Sequence, residues 1–213
     1  MSAIRTLSIA TAILAAIAAS TARLAYADDT PDAAFAKRMF ASDAKPKNYA
    51  CFVRRYDAEH MAQHPLQKVT AMRLLITAEK MPDDKVLEYS FRLGVNFRDR
   101  PGDFDSSGEC GHAPMVVDPS NLDAPTAPSG IDFSCSVDCD GGGMTVNLAN
   151  KDASVIMKLD RIRIWKGKDP DEAAVSALQA GADDKVFRLD RTSVGECTSL
   201  VADRKELAAM RHK

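Results

Sequence analysis

Apolar and polar residues alternate with a period of two along much of this chain. The alternation is clearest over residues 87–98, where every second residue from Leu87 to Phe97 is apolar or aromatic. This pattern is typical of a β-strand with one buried face. Residues 72–76 show the same alternation, and the polar segment 81–84 that follows them is typical of a turn. The two segments therefore predict a β-hairpin.

Shorter apolar runs predict further strands at residues 51–53, 131–139, 144–148, 155–159 and 187–189. After residue 159 the apolar positions change phase, because Ile162 and Ile164 occupy even numbers, and this change predicts a β-bulge or a corner near Asp160 and Arg161. Residues 99–130 are rich in proline, glycine and serine. We predict there a long loop with one short strand at residues 115–117.

Three segments predict helices. The first follows Thr30 as N-cap and lies in an N-terminal helix and linker spanning residues 28–48. The second runs from the cap Asp169 to Gly181. The third spans residues 203–213, which end a single β-rich domain expected over residues 49–213.

About eight strands in hairpin order, with short helices at the periphery, predict a mainly β fold. We expect an antiparallel up-and-down β-barrel or a sandwich, and we favour the barrel because closure leaves no exposed sheet edge. The order of elements resembles the lipocalin and calycin architecture. The chain lacks the Gly-x-Trp signature of lipocalins, and Trp165, its only tryptophan, lies late in the sequence. The resemblance therefore covers architecture alone.

The first 27 residues have the composition of a secretory signal peptide. Arg5 precedes an almost wholly apolar stretch over residues 7–19, and Ala25-Tyr26-Ala27 places small residues at the cleavage positions before Asp28. The alternatives are a cut after Ala22 or an uncleaved anchor, but an anchor needs about 20 apolar residues. We predict a periplasmic or secreted protein with no membrane span after cleavage.

Charge argues against nucleic-acid partners. The formal charge is −2, and cleavage removes Arg5 and Arg23, so the mature chain carries −4. A weak acidic excess provides no electrostatic footprint for nucleic acid.

Five cysteines in an exported chain predict disulfides with one thiol left over. Cys135 and Cys139 lie on one predicted strand about 13 Å apart, which is too far for a bond between them. We favour a bridge between Cys110 and Cys139, with Cys135 or Cys51 bonded to Cys197.

Two groups of side chains could hold a transition metal. His60 and His64 are four residues apart, so a helix would place both imidazoles on one face, and His112 could add a third ligand. A short helix that caps a barrel mouth explains the histidine pair without metal. His112 could instead join Cys110, Cys135 and Cys139 in a zinc site, although export favours disulfides over thiolate ligands.

Two weaker candidates are ionic. The segment 138–143 sets two carboxylates beside three glycines and could bind calcium, although a hairpin turn that needs positive φ angles explains the glycines better. Four arginines could form a basic stripe for an anionic ligand if their strands are adjacent, namely Arg92, Arg98, Arg161 and Arg163.

The sequence contains no Gly-x-Ser-x-Gly elbow and no phosphate-binding loop. We therefore expect an exported, non-enzymatic binding or interaction protein, and the sequence identifies no cofactor for it. Its barrel mouth or the 99–130 loop would contact a small apolar ligand or another envelope protein. The alternative is a metal-dependent enzyme or metal-binding protein built on His60 and His64, and a third hypothesis is a structural envelope component.

Overall fold

Pairing mostly between strands that are neighbours in sequence, completed by pairing of the first strand with the last, closes this chain into an antiparallel β-barrel in the computed structural model. The structure describes residues 31–41, 45–81, 87–112, 133–167 and 175–211. The leader at residues 1–27 and the short strand predicted at residues 115–117 lie outside these ranges.

Nine strands and three α-helices lie in the described residues. The strands are β1 (Lys47–Arg55), β2 (Val69–Lys80), β3 (Leu87–Phe97), β4 (Phe104–His112), β5 (Phe133–Ser136), β6 (Gly142–Ala149), β7 (Ser154–Lys166), β8 (Val175–Gln179) and β9 (Val186–Thr192). The helices are α1 (Pro31–Phe40), α2 (Ala58–Gln63) and α3 (Arg204–Arg211), and a 3₁₀ helix spans Val194–Leu200.

Eight of the strands form the closed barrel. The order is β6-β5-β4-β3-β2-β1-β9-β7, and β7 pairs again with β6 to complete the circuit. The ninth strand, β8, lies outside this circuit and pairs with the second half of β7. The barrel expected from the alternating pattern is therefore confirmed, with one additional strand beside it.

The predicted β2–β3 hairpin is present, and its apolar residues face the barrel interior. Ile76 is paired with Phe91, and Tyr89, Phe91 and Leu93 all point into the barrel, where each is at most 6% exposed. The predicted bulge is also present, because Met144 pairs with Leu159 while the preceding Gly143 pairs with Arg161. Asp160 is thus the extra residue that changes the phase of the apolar positions in β7.

The structure corrects the predicted loop over residues 99–130, because β4 occupies residues 104–112. The sequence of β4 is FDSSGECGH, and only Phe104 and Cys110 are apolar among its inward residues. Its hydropathy pattern therefore gives almost no indication of a strand. Ser106 points inward, and its buried hydroxyl has a hydrogen-bond partner there, because it donates to the Arg163 carbonyl oxygen at 2.7 Å. Pairing with β3 and β5 therefore makes β4 a strand despite its weak local preference.

Three other boundaries differ from the prediction. Residues 175–179 form β8, paired with β7, instead of the end of a helix reaching Gly181. β1 covers nine residues, beginning inside the predicted N-terminal linker, because both of its faces are buried and no alternation marks it. β5 ends at Ser136, and the chain turns over residues 138–140.

Apolar side chains fill the barrel interior, and α1 closes one end. The largest fully buried barrel residues come from most strands of the circuit, namely Phe52, Met72, Leu74, Ile76, Phe91, Leu93, Phe133, Met157, Leu159 and Phe187. Phe35 and Met39 of α1 join this core, as their spacing predicts. Arg191 donates to the Met39 and Arg38 carbonyl oxygens at 2.7 and 3.1 Å, which binds a cation to the carboxyl end of the helix.

Gly108 in β4 lies where the chain has no space for a side chain. A Cβ atom at this position would overlap the Ser136 carbonyl oxygen and contact the Phe91 ring at 3.0 Å. We expect Gly108→Ala to destabilise the protein by about 2 to 3 kcal/mol, which lowers the melting temperature by about 5 to 10 °C. Thermal unfolding followed by circular dichroism measures this shift.

The matched control is Gly111→Ala in the same strand, because a Cβ there would have no heavy atom within 4 Å. This control should change stability by less than about 0.5 kcal/mol. Equal melting temperatures for the two variants would contradict the close approach of β4 and β5.

Candidate functional site

The C-terminal segment 193–211, which we call the C-terminal strap, covers part of the barrel's outer surface. It contains the 3₁₀ helix and α3 and packs on the outward side chains of β1 and β2. This second apolar cluster consists of Tyr49, Cys51, Val53 and Leu75 from the barrel with Cys197, Leu200, Val201 and Met210 from the strap. Met210 and Leu207 lie on one face of α3, as predicted. β1 is therefore buried on both sides.

A disulfide attaches the strap to β1. Cys51 and Cys197 are bonded, with their Cα atoms 5.9 Å apart and 146 residues between them in sequence. Cys51 is one of the two residues that we expected to bond to Cys197. Both cysteines are at most 1% exposed.

An ionic cluster attaches the other end of the strap. Arg92 on β3 donates two hydrogen bonds to the Glu206 carboxylate, at 3.2 and 2.9 Å, and Lys47 Nζ lies 3.3 Å from the same carboxylate. Burial opposes ionisation of Glu206, but the bonds and charges of Arg92 and Lys47 outweigh it and hold its pKa below the ordinary value. Burial, together with the Glu206 charge, raises the pKa of the neighbouring Tyr49 to about 12.

A groove of about 250 Å³ runs between the strap and the outer face of β3, β4 and β7, and we call it the strap groove. Residues from three strands and from the strap line it, namely Arg92, Leu93, Asp105, Ser106, Ser107, Trp165, Leu200, Ala202 and Asp203. The sheet register explains the composition of its floor. Arg92 is paired with Ser107 across β3 and β4, and Asp105 is paired with Trp165 across β4 and β7.

Gly94 determines how closely the strap approaches the sheet. Asp105 is its partner on β4, and an added Cβ at Gly94 would lie 2.6 Å from Leu200 Cδ2. The missing side chain therefore allows Leu200 to lie on the sheet and form one wall of the groove.

Trp165 provides an unsatisfied hydrogen-bond donor in the groove. The residue is 4% exposed, and its indole Nε1 has no hydrogen-bond partner. A buried donor without an acceptor costs about 1–3 kcal/mol. Such a group is a natural contact point for the acceptor atom of a ligand.

Three of the four arginines of the predicted basic stripe, Arg92, Arg98 and Arg161, make separate contacts within the protein. Arg92 lies in the groove, but its charge is matched by Glu206. Arg98 donates to the Met61 carbonyl oxygen beside α2 at 2.7 Å, and Arg161 donates to the Asp140 carbonyl oxygen at 3.1 Å. These arginines bind separate parts of the protein's own backbone and side chains.

His60 and His64 lie on one face of α2, as predicted, with their rings stacked 4.3 Å apart. The Tyr56 ring stacks on His60 at 4.5 Å. His60 Nε2 lies 3.0 Å from Gln67 Oε1, while Gln67 Nε2 donates to the Val69 carbonyl oxygen at 2.7 Å. Since the amide oxygen only accepts, this contact fits the tautomer with a hydrogen on His60 Nε2, in which Nδ1 is the ring nitrogen that could bind a metal.

His112 lies at the other end of the barrel, where its ring is 4.5 Å from Phe35 of α1. The length of β1, about 26 Å for nine residues, separates the two ends. The three histidines are therefore not brought together, and no group of three potential metal ligands occurs in the part of the chain that the structure describes. Metal binding by the His60–His64 pair remains a prediction for metal analysis to test.

The second disulfide corrects the expected pairing of Cys110. Cys110 is bonded to Cys135, its direct neighbour across β4 and β5, with the Cα atoms 4.0 Å apart. Cys139 is free and exposed, because β5 ends before it. The predicted zinc site would need thiolates from Cys110, Cys135 and Cys139 together with His112. Cys110 and Cys135 form a disulfide, so neither can supply a thiolate ligand.

The backbone of the turn over residues 138–140 differs from the prediction, which assigned positive φ angles to the three glycines. Positive φ angles fall on Cys139 and Asp140, at 55° and 58°, and among the three glycines only Gly142 has one, at 77°. At Gly143 a Cβ would instead overlap the Cys135 carbonyl oxygen. The glycines therefore serve this β5–β6 connection in two ways, one through conformation and one through close packing.

Comparisons with protein families, characterised proteins and solved structures find no match to this chain. Within the described residues, none of the helices has the length and apolar character needed to cross a bilayer. The site must therefore be interpreted from its own chemistry.

Sequence reasoning did not find the strap groove. Asp105 and Ser107 lie in a segment predicted as a loop. Trp165 lies too late in the chain for the lipocalin signature, and its position in the sequence predicts no other role. The one local signal is Gly94, a glycine among the otherwise regular polar positions of β3, which is typical of a close approach by another segment.

The two disulfides should contribute differently to stability. The loop closed by Cys51–Cys197 spans 146 residues and that closed by Cys110–Cys135 spans 25. From loop entropy we expect a loss of about 5 kcal/mol for the Cys51→Ser/Cys197→Ser variant and about 3.5 kcal/mol for Cys110→Ser/Cys135→Ser. Urea unfolding measures both, with Cys139→Ser as the control that should leave the midpoint unchanged. The reverse order would show that the strap is held mainly by its other contacts.

Glu206 should make the strap sensitive to acid. A carboxylate whose folded-state pKa is depressed stabilises the protein fully above its unfolded value of about 4.5 and loses this contribution as the pH falls through the folded value. We expect Glu206→Gln to lose about 2 kcal/mol at pH 7 and to show a flatter stability profile below about pH 5. Urea unfolding across this pH range tests it.

The exposed carboxylate Glu196, which pairs with Arg55 on the surface, is the control for Glu206. Glu196→Gln should cost less than about 1 kcal/mol, because exposed ion pairs contribute little. Identical profiles for both variants would refute a special role for Glu206.

Proposed function

We propose that this chain is an exported, non-enzymatic binding protein that presents its ligand site on the outside of the barrel, in the strap groove. The observation that carries this proposal is that Trp165, one of the residues lining the groove, holds a buried indole N–H with no hydrogen-bond partner within the protein. The ligand is a small molecule or a short segment of another envelope protein.

The filled interior supports an outer site. A calycin-like binding protein would hold an apolar ligand inside the barrel, but here aromatic and aliphatic side chains occupy that space and α1 covers one end. The barrel mouth named by the sequence pattern therefore becomes a less suitable site than the groove. The groove's lining combines apolar residues with the charged side chains of Arg92, Asp105 and Asp203, so a ligand with polar groups suits it better than a wholly apolar one.

The groove's chemistry supports binding over catalysis. Its described lining contains two serine hydroxyls, two carboxylates and a guanidinium, but no histidine or cysteine beside Ser107 to act as a base or nucleophile. Nucleophilic catalysis by serine needs such a base within hydrogen-bond reach. His60 and His64 lie instead at one end of the barrel and His112 at the other.

Export is supported by the two disulfides, because such bridges persist in oxidising compartments. The leader at residues 1–27 supports the same location on sequence grounds.

Expression of the full chain with its leader in a bacterial host tests export. We expect the periplasmic fraction to contain a protein that begins at Asp28 and holds two disulfides and one free thiol, as measured by intact mass before and after alkylation. An uncleaved cytoplasmic chain with five reactive thiols would refute export.

A ligand-observed NMR screen of small polar and apolar fragments tests the binding function itself. We expect saturable binding of polar fragments that a groove-filling variant, Ser107→Trp, reduces. A comparable substitution on the far side of the barrel, Arg188→Trp, is the control. If no fragment binds the oxidised protein, the binding function is wrong.

A further inference from the structure

We propose that the strap groove selects small organic cations that also carry a hydrogen-bond acceptor, such as a primary amine bearing an amide. This inference rests on the proposed binding function and specifies its ligand class. It follows from the donor that the groove leaves unpaired, from the balance of charge along its lining, and from its size.

The acceptor requirement comes from Trp165. Its indole N–H is buried and unpartnered, and this donor has no means of accepting a bond in return. A ligand oxygen placed against Nε1 would satisfy the donor, whereas an apolar ligand would leave it unsatisfied.

The preference for a cation comes from the carboxylates. Asp105 and Asp203 both line the groove, while Arg92, the cation among the described lining residues, is engaged in a two-point ion pair with Glu206. The lining therefore has an acidic excess. A carboxylate has about four lone-pair positions, so Asp105 can accept from a ligand N–H in addition to contacts within the protein.

The positions of Asp105 and Trp165 set the spacing between the two ligand groups. They are direct partners across β4 and β7. The Cβ atoms of residues paired in this way are about 4.5–5.5 Å apart. An acceptor and an ammonium group separated by two or three bonds would reach both side chains at once.

The size of the groove excludes large ligands. Its volume of about 250 Å³ equals that of roughly eight water molecules and lies below the range of sites for drug-sized molecules. A free small molecule, or a single side chain with its adjoining peptide group, fits this space.

The indole N–H signal is a direct reporter of this site, because Trp165 is the only tryptophan in the chain. In ¹H–¹⁵N correlation spectra of the oxidised protein, titration with glycinamide should move this one signal downfield and saturably, with half-saturation on the order of 1–10 mM. N-acetylglycine, which has the acceptor but carries a negative charge, and ethylammonium, which lacks the acceptor, should bind at least fivefold more weakly.

Asp105→Asn should weaken glycinamide binding at least fivefold and Asp190→Asn, on β9, should not change it. Should Asp105→Asn fail to fold, ionic strength supplies the second measurement. Raising sodium chloride from about 0.02 M to about 0.5 M should weaken binding of glycinamide but not that of neutral acetamide.

Three results would overturn the inference: an unmoved indole signal, an equal response to N-acetylglycine, or glycinamide binding that neither Asp105→Asn nor salt weakens. Fragments that bind elsewhere while the indole signal stays still would refute this ligand class and site but leave the binding function standing. Failure of every fragment to bind would refute the binding function as well.

Discussion

Burial of both faces of β1 is the constraint on which the rest of this structure depends. Its inward residues, such as Phe52, belong to the barrel core, and its outward residues Tyr49, Cys51 and Val53 are equally apolar. Closure of the barrel covers only the first set. The second set needs a separate cover, and the C-terminal strap provides it through apolar contacts, the Cys51–Cys197 disulfide and the Glu206 ion pairs. The strap is therefore part of the fold.

The groove is a geometric consequence of that cover. The strap is anchored over β1 and β2 and reaches across β3 at Gly94, where the missing side chain lets Leu200 approach the sheet. Beyond this point the strap no longer contacts the sheet continuously, and polar side chains of β3 and β4 together with Trp165 of β7 line the space beneath it. A closed and filled barrel thereby obtains a concave surface on its outside, and rigid strands position the groups that line it.

The accuracy of sequence reasoning followed the strength of local alternation. The β2–β3 hairpin, the bulge at Asp160 and the helix α3 were all predicted, because each has an apolar set on one side that its own spacing reveals. β4 and β8 were wrongly predicted, since β4 carries serine and glycine at inward positions and β8 follows a segment with helix-start residues. Both are strands because their neighbours pair with them.

The sequence by itself determined the fold class and the inward face of most strands, since periodicity is a local property of the chain. Only the tertiary structure decided which segment covers β1, that Cys110 bonds to Cys135, that the histidines lie at opposite ends, and that Asp105 and Trp165 meet in a groove. These are contacts between residues distant in sequence. Alternation shows that a face is buried, but only the closed circuit of strands and the path of the strap decide what lies against it.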